Sequence, residues 1–323
     1  MRTPAASVYA QIQKDFTEAA AALPASYTGT DIGRATSGAA NGLLASVLLM
    51  QKKFTEAAPI LLGIINSAKY DLLPVYSDVF KSANSNNKGI LFAVQYVAGS
   101  IAPGQNNNNV ALFNPAGTAP IDTVGYYGTN ADQPTQDVFD AYPTTDPRRN
   151  VNVSYFTSAS LPFAYCSKYI TPTIVSPTEN GVDYPVVRYA DILLMYAECL
   201  NEAGDTAGAI TQVNKVRQRA YGNATQNLQT TDATNTVTYV SGQVGMRDRI
   251  MTERRLELAF EGLRFFDLAR TDRLVTTMNA YFVKYNLKVN GTFIRISNNN
   301  KLYPIPQTQI DLNPTKITQN PGY

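Results

Sequence analysis

The chain has 323 residues, 44% hydrophobic and 16% charged, with 27 basic against 25 acidic side chains and a net charge of +2. That is enough apolar material for a substantial core, and no basic run stands out for a nucleic acid or an anionic membrane surface to bind. There is no histidine and no tryptophan, which removes the commonest general base, the usual zinc ligand and every Ser–His or Cys–His nucleophile pair. Cys166 and Cys199 share no metal-binding spacing, so no metal and no cofactor is expected. Cys199 lies in a helical pattern and reads as a small buried hydrophobe. Asn, Thr, Ser, Gln and Tyr dominate the polar residues, a surface suited to an exported protein that meets neutral polar ligands. No apolar stretch reaches membrane-spanning length. The chain opens Met1-Arg2-Thr3-Pro4 and enters an amphipathic pattern without a signal-peptide core. That leaves a cytosolic protein or one whose export signal lies upstream.

The first 80 residues read as helical. Val8, Ile12, Phe16, Ala19 and Leu23 form one stripe that Pro24 ends. A second helix carries Ala40, Leu44, Val47 and Leu48, and a third begins near Phe54 with Ala57, Ala58, Leu61, Leu62 and Ile65. A similar pair recurs later. Ala190 to Leu194 and Ala207 to Ile210 match Ala40 to Leu44 and Ala57 to Ile60 at one constant offset, with a polar turn inside each pair. Small residues where helices face each other give the close packing of tetratricopeptide-like units. The copies are separated by a segment from 81 to 187. It begins with a predicted strand, Ile90 to Tyr96, and continues as a Gly-, Pro- and Asn-rich insertion. From 188 the chain is predicted to be helical again, with a polar loop from Gly222 to Gly242 and a last large helix from about Gly245 towards Arg270. A Tyr-, Pro- and Asn-rich coil follows, with a hairpin at Asn290-Gly291. The expected fold class is mostly α, with helix pairs, a loop-rich insertion and little β.

The segment Ile250 to Arg270 is the densest in charge. Glu253 and Glu257 stand one turn apart, and Glu261–Arg264, Arg264–Asp267 and Asp267–Arg270 are i,i+3 pairs of opposite sign. With Arg254 and the neighbouring aromatics they read as a partly buried structural network rather than a catalytic one. This segment resembles the ERR-x-E-L-x-x-E-G-x-R-x-x-D-L-x-R signature of SusD/RagB proteins. Arg188 to Glu198 with Asn214 to Arg217 is similar to the family's penultimate helix pair. Tyr303-Pro304-Ile305-Pro306 and Gln319 to Tyr323 are similar to its C-terminal end, and Val8 to Thr36 resembles the middle of such proteins.

The resemblance implies a SusD-like α/α superhelix spanning 1–323 as one domain that lacks the family's N-terminal part, with its signal peptide, lipid-acceptor Cys and further helices. It also implies capture of an oligosaccharide, or less often a peptide, at the outer-membrane surface, for delivery to a SusC-like TonB-dependent transporter. Catalysis is not implied, and the membrane would be reached only through a lipid anchor absent from this chain. Sugars present apolar C–H faces ringed by hydroxyls, which aromatic faces, amides and carboxylates bind. The insertion supplies these residue types in Asn106 to Asn109, Tyr126, Tyr127, Asn130, Asp132, Gln133, Tyr142 and Tyr155, with Tyr126-Tyr127 the leading aromatic pair. Two other functions compete. A glycoside hydrolase needs only two carboxylates, but no acidic pair stands out in a loop. A helical-repeat scaffold would bind a protein or peptide on its concave face.

Overall fold

The structure, a computed structural model, describes residues 3–97, 133–157, 162–169 and 181–323 (the side chains of 156, 157, 162 and 163 excepted). About 53% of the chain is helical, so the fold is mostly α. Helices α1 (Ala5–Ala22), α2 (Ser37–Met50) and α3 (Phe54–Asn66) pack in sequence, each on the next. Thr36 caps α2 by accepting the Ala39 N–H at 3.2 Å. Strand β1 (Ile90–Val94) follows, then the short helices α4 (Gln136–Ala141) and α5 (Arg148–Asn152). The hairpin β2 (Val153–Thr157) and β3 (Pro162–Cys166) comes next, and β4 (Tyr184–Arg188) pairs antiparallel with β1. β4 runs without a break into α6 (Tyr189–Glu202), which pairs with α7 (Thr206–Tyr221). The chain ends with α8 (Gly242–Glu257), α9 (Arg264–Arg270), α10 (Leu274–Lys284), the two-residue strands β5 (Lys288–Val289) and β6 (Thr292–Phe293), and α11 (Gln307–Leu312).

The two helix pairs are structurally equivalent, and they meet where α3 packs on α6. Their register is two residues further along than the sequence match suggests. The turn of the first pair places Lys52 at φ +58° and that of the second places Gly204 at φ +89°. In the first, Lys52 N–H donates to Leu49 O at 3.0 Å and Lys53 N–H to Leu48 O at 2.9 Å; in the second, Gly204 N–H donates to Asn201 O at 3.0 Å and Asp205 N–H to Leu200 O at 2.9 Å. Both are Schellman caps, which set where each second helix starts. In this register the buried Ala57, Leu61 and Ile64 correspond to the buried Ala209, Val213 and Val216.

One core runs through α2, α3, α6, α7 and α8, with Leu48, Leu61, Leu193, Val213 and Ile250 among its members. α2 approaches β4 and α6 so closely that a Cβ on Gly42 would lie 3.2 Å from both Ile192 Cδ1 and Val187 Cγ1. α1 has no fully buried residue, and Val8 of its apolar stripe is 43% exposed.

The helix expected from Gly245 to Arg270 is two helices. α8 stops at Glu257, and Phe260 and Gly262 take φ +64° and +74° before α9 begins. The tail expected as coil contains α10, whose Leu274, Met278, Tyr281 and Phe282 keep helical spacing. The hairpin at Asn290-Gly291 is present with φ +50° and +79°, the positive pair that a two-residue turn needs.

Candidate functional site

An α-helix leaves its last carbonyls without intrahelical donors. At the buried end of α8 these carbonyls are met by side chains from distant segments. Tyr142 Oη–H donates to Leu256 O at 2.7 Å, and Tyr76 Oη–H to Glu257 O at 2.9 Å. Just beyond the helix, in the break before α9, Lys168 Nζ donates to Ala259 O at 2.8 Å, and Tyr169 Oη–H to Phe260 O at 3.0 Å. The same segments bring cations to the carboxylates of α8 and to Glu261 just beyond it. Arg148 Nη1 bridges Glu253 Oε1 at 2.6 Å and Glu257 Oε2 at 3.0 Å, while the rest of its fork grips Asp146. Arg188, at the end of β4, donates to Glu257 Oε1 at 3.1 Å and to Glu261 Oε2 at 2.7 Å. Arg217 and Arg219 of α7 reach Glu253 and Glu257, and Lys168 reaches Glu261. Burial alone would raise the Glu257 carboxyl, but the guanidiniums of Arg219, Arg188 and Arg148 outweigh it and hold the pKa down at about 2. Burial brings Lys168 down to about 8 despite Glu261 beside it.

A second cluster joins α6 to α8 and α9. Arg254 donates to Asp191 Oδ1 at 2.6 Å and Asp267 Oδ2 at 2.9 Å, and Arg270 grips Glu198 at 2.6 and 2.9 Å as well as Asp267. Glu253, Arg254, Glu257, Glu261, Asp267 and Arg270 therefore sit in buried ion pairs. Arg264 does not. The predicted pairs Glu261–Arg264 and Arg264–Asp267 are not made, because the break at 258–263 turns Glu261 towards Lys168 and Arg188, and Asp267 is held by Arg254 and Arg270. Among the described residues no side chain carries a metal-binding cluster.

The expected ligand residues separate. Tyr126, Tyr127, Asn130 and Asp132, with Asn106 to Asn109, lie outside the described residues. Tyr142 is 3% exposed, its hydroxyl held by Leu256 O and Asn152, so its ring is packed inside rather than offered to a ligand. Tyr155 is 40% exposed and stands edge-on to Phe139, with ring centroids 4.8 Å apart. Its hydroxyl donates to Gln136 Oε1 at 3.2 Å, and Arg149 lies 3.7 Å over the other ring, Phe139.

Tyr155 thus belongs to a face built on α4. On its other side Asp137 accepts from Arg255 at 2.6 Å and Lys284 at 2.9 Å, and the Tyr285 hydroxyl meets Asp140 at 3.2 Å. The Tyr281 and Tyr285 rings lie 4.9 Å apart, tilted 46° to each other. Between α4 and α10 lies a groove of about 310 Å³, at the lower end of small-molecule sites. Gln133, Val138, Arg255, Arg264, Met278 and Tyr281 are among its walls. Sequence reasoning missed Tyr281 and Tyr285, whose i,i+4 spacing was the available signal. A larger concavity of about 390 Å³ lies between β1 and the α1–α2 loop. Several of its polar groups pair internally: Tyr70 with Thr36, and Asn86 with Gln95.

A core of paired helices, with the insertion anchored through the end of α8, defines a mostly α protein with tetratricopeptide-like pairs. The profile of the SusD family matches residues 157–323, just over half the chain, and the protein belongs to this family. It is 28% identical to SusD-like protein P25 of Formosa agariphila over an alignment covering 100% of this chain and 66% of the relative. The chain thus spans a little under two thirds of that relative's length. Among solved structures, surface glycan-binding protein A from Bacteroides fluxus superimposes with a TM-score of 0.80 at 24% identity, covering 98% of this chain and 70% of its own. The Bacteroides thetaiotaomicron surface glycan-binding protein A in complex with laminarihexaose gives 0.76 at 22% identity, covering 97% and 70%. These likenesses concern the fold.

Proposed function

We propose that the protein captures oligosaccharides at the outer-membrane surface and passes them to a SusC-like TonB-dependent transporter without chemical change. The face on α4 and α10 carries the reading. Tyr155, Tyr281 and Tyr285 offer aromatic rings for C–H faces, and Gln136, Asp140 and Gln133 offer groups that hydrogen-bond hydroxyls. Tyr126, Tyr127, Asn130 and Asp132, a few residues before Gln133 in the chain, are proposed to contact the ligand as well. The laminarihexaose-bound fold neighbour supports a glycan as the ligand class.

A glycosidase needs an accessible acid held protonated. On this face Asp137 is lowered by Lys284 and Arg255 against the effect of burial. Among the described residues the carboxyl pushed up is Asp191, which burial raises, and it lies 5% exposed against Arg254. Neither is an accessible acid held protonated.

The test is a calorimetric titration against plant, host and microbial polysaccharides, with Tyr126→Ala/Tyr127→Ala and Tyr155→Ala variants run alongside. Saturable binding that weakens about tenfold or more in either variant is expected, a loss of about 1.4 kcal/mol. Absence of binding to every glycan, or release of reducing ends by the pure protein, overturns the reading.

A further inference from the structure

Arg264, the first residue of α9, is half-buried and lines the groove between α4 and α10 together with Arg255 and Tyr281. Two carboxylates act on it electrostatically, Asp267 and Asp137, and both are committed elsewhere. Asp267 Oδ2 accepts from Arg254 Nε at 2.9 Å, and Oδ1 accepts from Arg270 Nη2 at 2.7 Å. Asp137 Oδ2 accepts from Arg255 Nη2 at 2.6 Å, and Oδ1 accepts from Lys284 Nζ at 2.9 Å. Among the described residues Arg264 forms no ion pair. Burial and the adjacent Arg255 bring its pKa down to about 10. The cleft between α3, α6 and α8 differs. Its basic residues Lys52, Arg247, Arg270 and Arg273 are matched by Asp272, Glu202, Glu198 and Asp248.

A half-buried guanidinium without an acid gives up part of its hydration and keeps its donors open to an anion. Its planar fork fits a carboxylate or a sulfate in two parallel hydrogen bonds. Among the described residues, Arg255, Arg264 and Lys284 stand around this groove against Asp137 and Asp140, while Asp267 is taken up by Arg254 and Arg270, which leaves positive charge in excess. A neutral sugar would fill the space and leave that excess uncompensated.

We propose that the groove takes the anionic group of an acidic sugar, a carboxylate or a sulfate ester, with Arg264 as the fork and Tyr281 as the platform for the ring. The inference rests on the glycan-capture reading and narrows its substrate class.

The experiment titrates the protein with oligogalacturonate, with the same oligomer methyl-esterified, and with sulfated and desulfated galactan oligosaccharides of one length. One acidic member is expected to bind at least tenfold tighter than its neutral counterpart, and more weakly as salt is raised. Which pair shows the difference separates carboxylate from sulfate. Arg264→Gln is expected to weaken acidic binding at least tenfold and Arg264→Lys by an intermediate factor, with melting curves confirming that each variant is folded. If Arg264→Gln does not fold, Tyr281→Ala and the esterified control carry the test. Equal affinity for charged and neutral partners, or unchanged acidic binding in folded Arg264→Gln, overturns the inference alone. Binding of no glycan at all removes both the inference and the reading beneath it.

Discussion

Glu257 is fully buried among Arg148, Arg188 and Arg219, with Lys168 nearby. Removing its charge while keeping its shape leaves cations buried without their anion. Glu257→Gln is therefore expected to cost about 3–5 kcal/mol in urea unfolding; a loss below about 1 kcal/mol would show that the charge is not needed there. The pH dependence has a definite sign. The folded pKa of about 2 lies below the ordinary 4.5, so on acidification the unfolded chain takes up the proton first. The stability contributed by Glu257 is complete above about pH 4.5 and is lost as pH falls towards 2. Asp191, pushed up by burial, works against this trend. The acid limb of Glu257→Gln should accordingly be shallower. Charge density and i,i+3 spacing make Glu253, Arg254, Glu257, Asp267 and Arg270 legible as structural. Their partners are not legible from spacing. Arg148 lies 105 residues from Glu253, and Arg188 lies 73 from Glu261, distances at which a single sequence carries no pairing signal.

At the scale of elements, left-handed residues end helices and turn the chain into the next segment. Lys52, Gly204 and Asp272 take that conformation in the turns between helices, and Ala68 takes it just beyond α3 at φ +52°. An L-residue there costs roughly 1–2 kcal/mol, while glycine adds roughly 0.5–1 kcal/mol of chain entropy. Ala68 is exposed, so its methyl contributes little packing. Ala68→Gly is thus expected to stabilise the protein by about 0.5 kcal/mol, read as a higher melting temperature; a lower one would mean that the methyl makes a contact of value. The helix pairs themselves are readable from apolar spacing, and the small residues foretell their close packing. Their register is not, because matching Ala and Leu scores identity while the caps decide which residue begins the second helix. The break after Glu257 escaped for a related reason. Leu256, Phe260 and Leu263 keep helical spacing across it, and Gly262 was the only local mark of a chain reversal.

The whole molecule couples these elements through the main apolar core, a second apolar cluster around Tyr76, Phe80, Cys166 and Tyr169, and the polar end of α8. Leu61 in α3 and Leu193 in α6 are both fully buried in the main core. The segments carrying Asp146, Arg148 and Arg188 are tied to α8, and the one carrying Lys168 to Ala259 and Glu261 just beyond it. The face on α4 gains its rigidity from this connection, since Tyr142 follows α4 at once and is bonded to Leu256 O. If the coupling holds, unfolding the helix pairs releases α8, and releasing α8 frees the binding face. Calorimetry is therefore expected to show a single transition. Leu61→Ala and Leu193→Ala should each lower it, with a cost of about 2–5 kcal/mol apiece from lost burial and the cavity left behind. Glu257→Gln should lower that same transition, although its contacts are polar and lie at the far end of α8. A second transition that stayed in place while the core variants moved the first would mean that the insertion folds on its own. The face would then owe its geometry to local contacts such as Tyr155 with Phe139 and Gln136, and not to the helix that the charged segment builds.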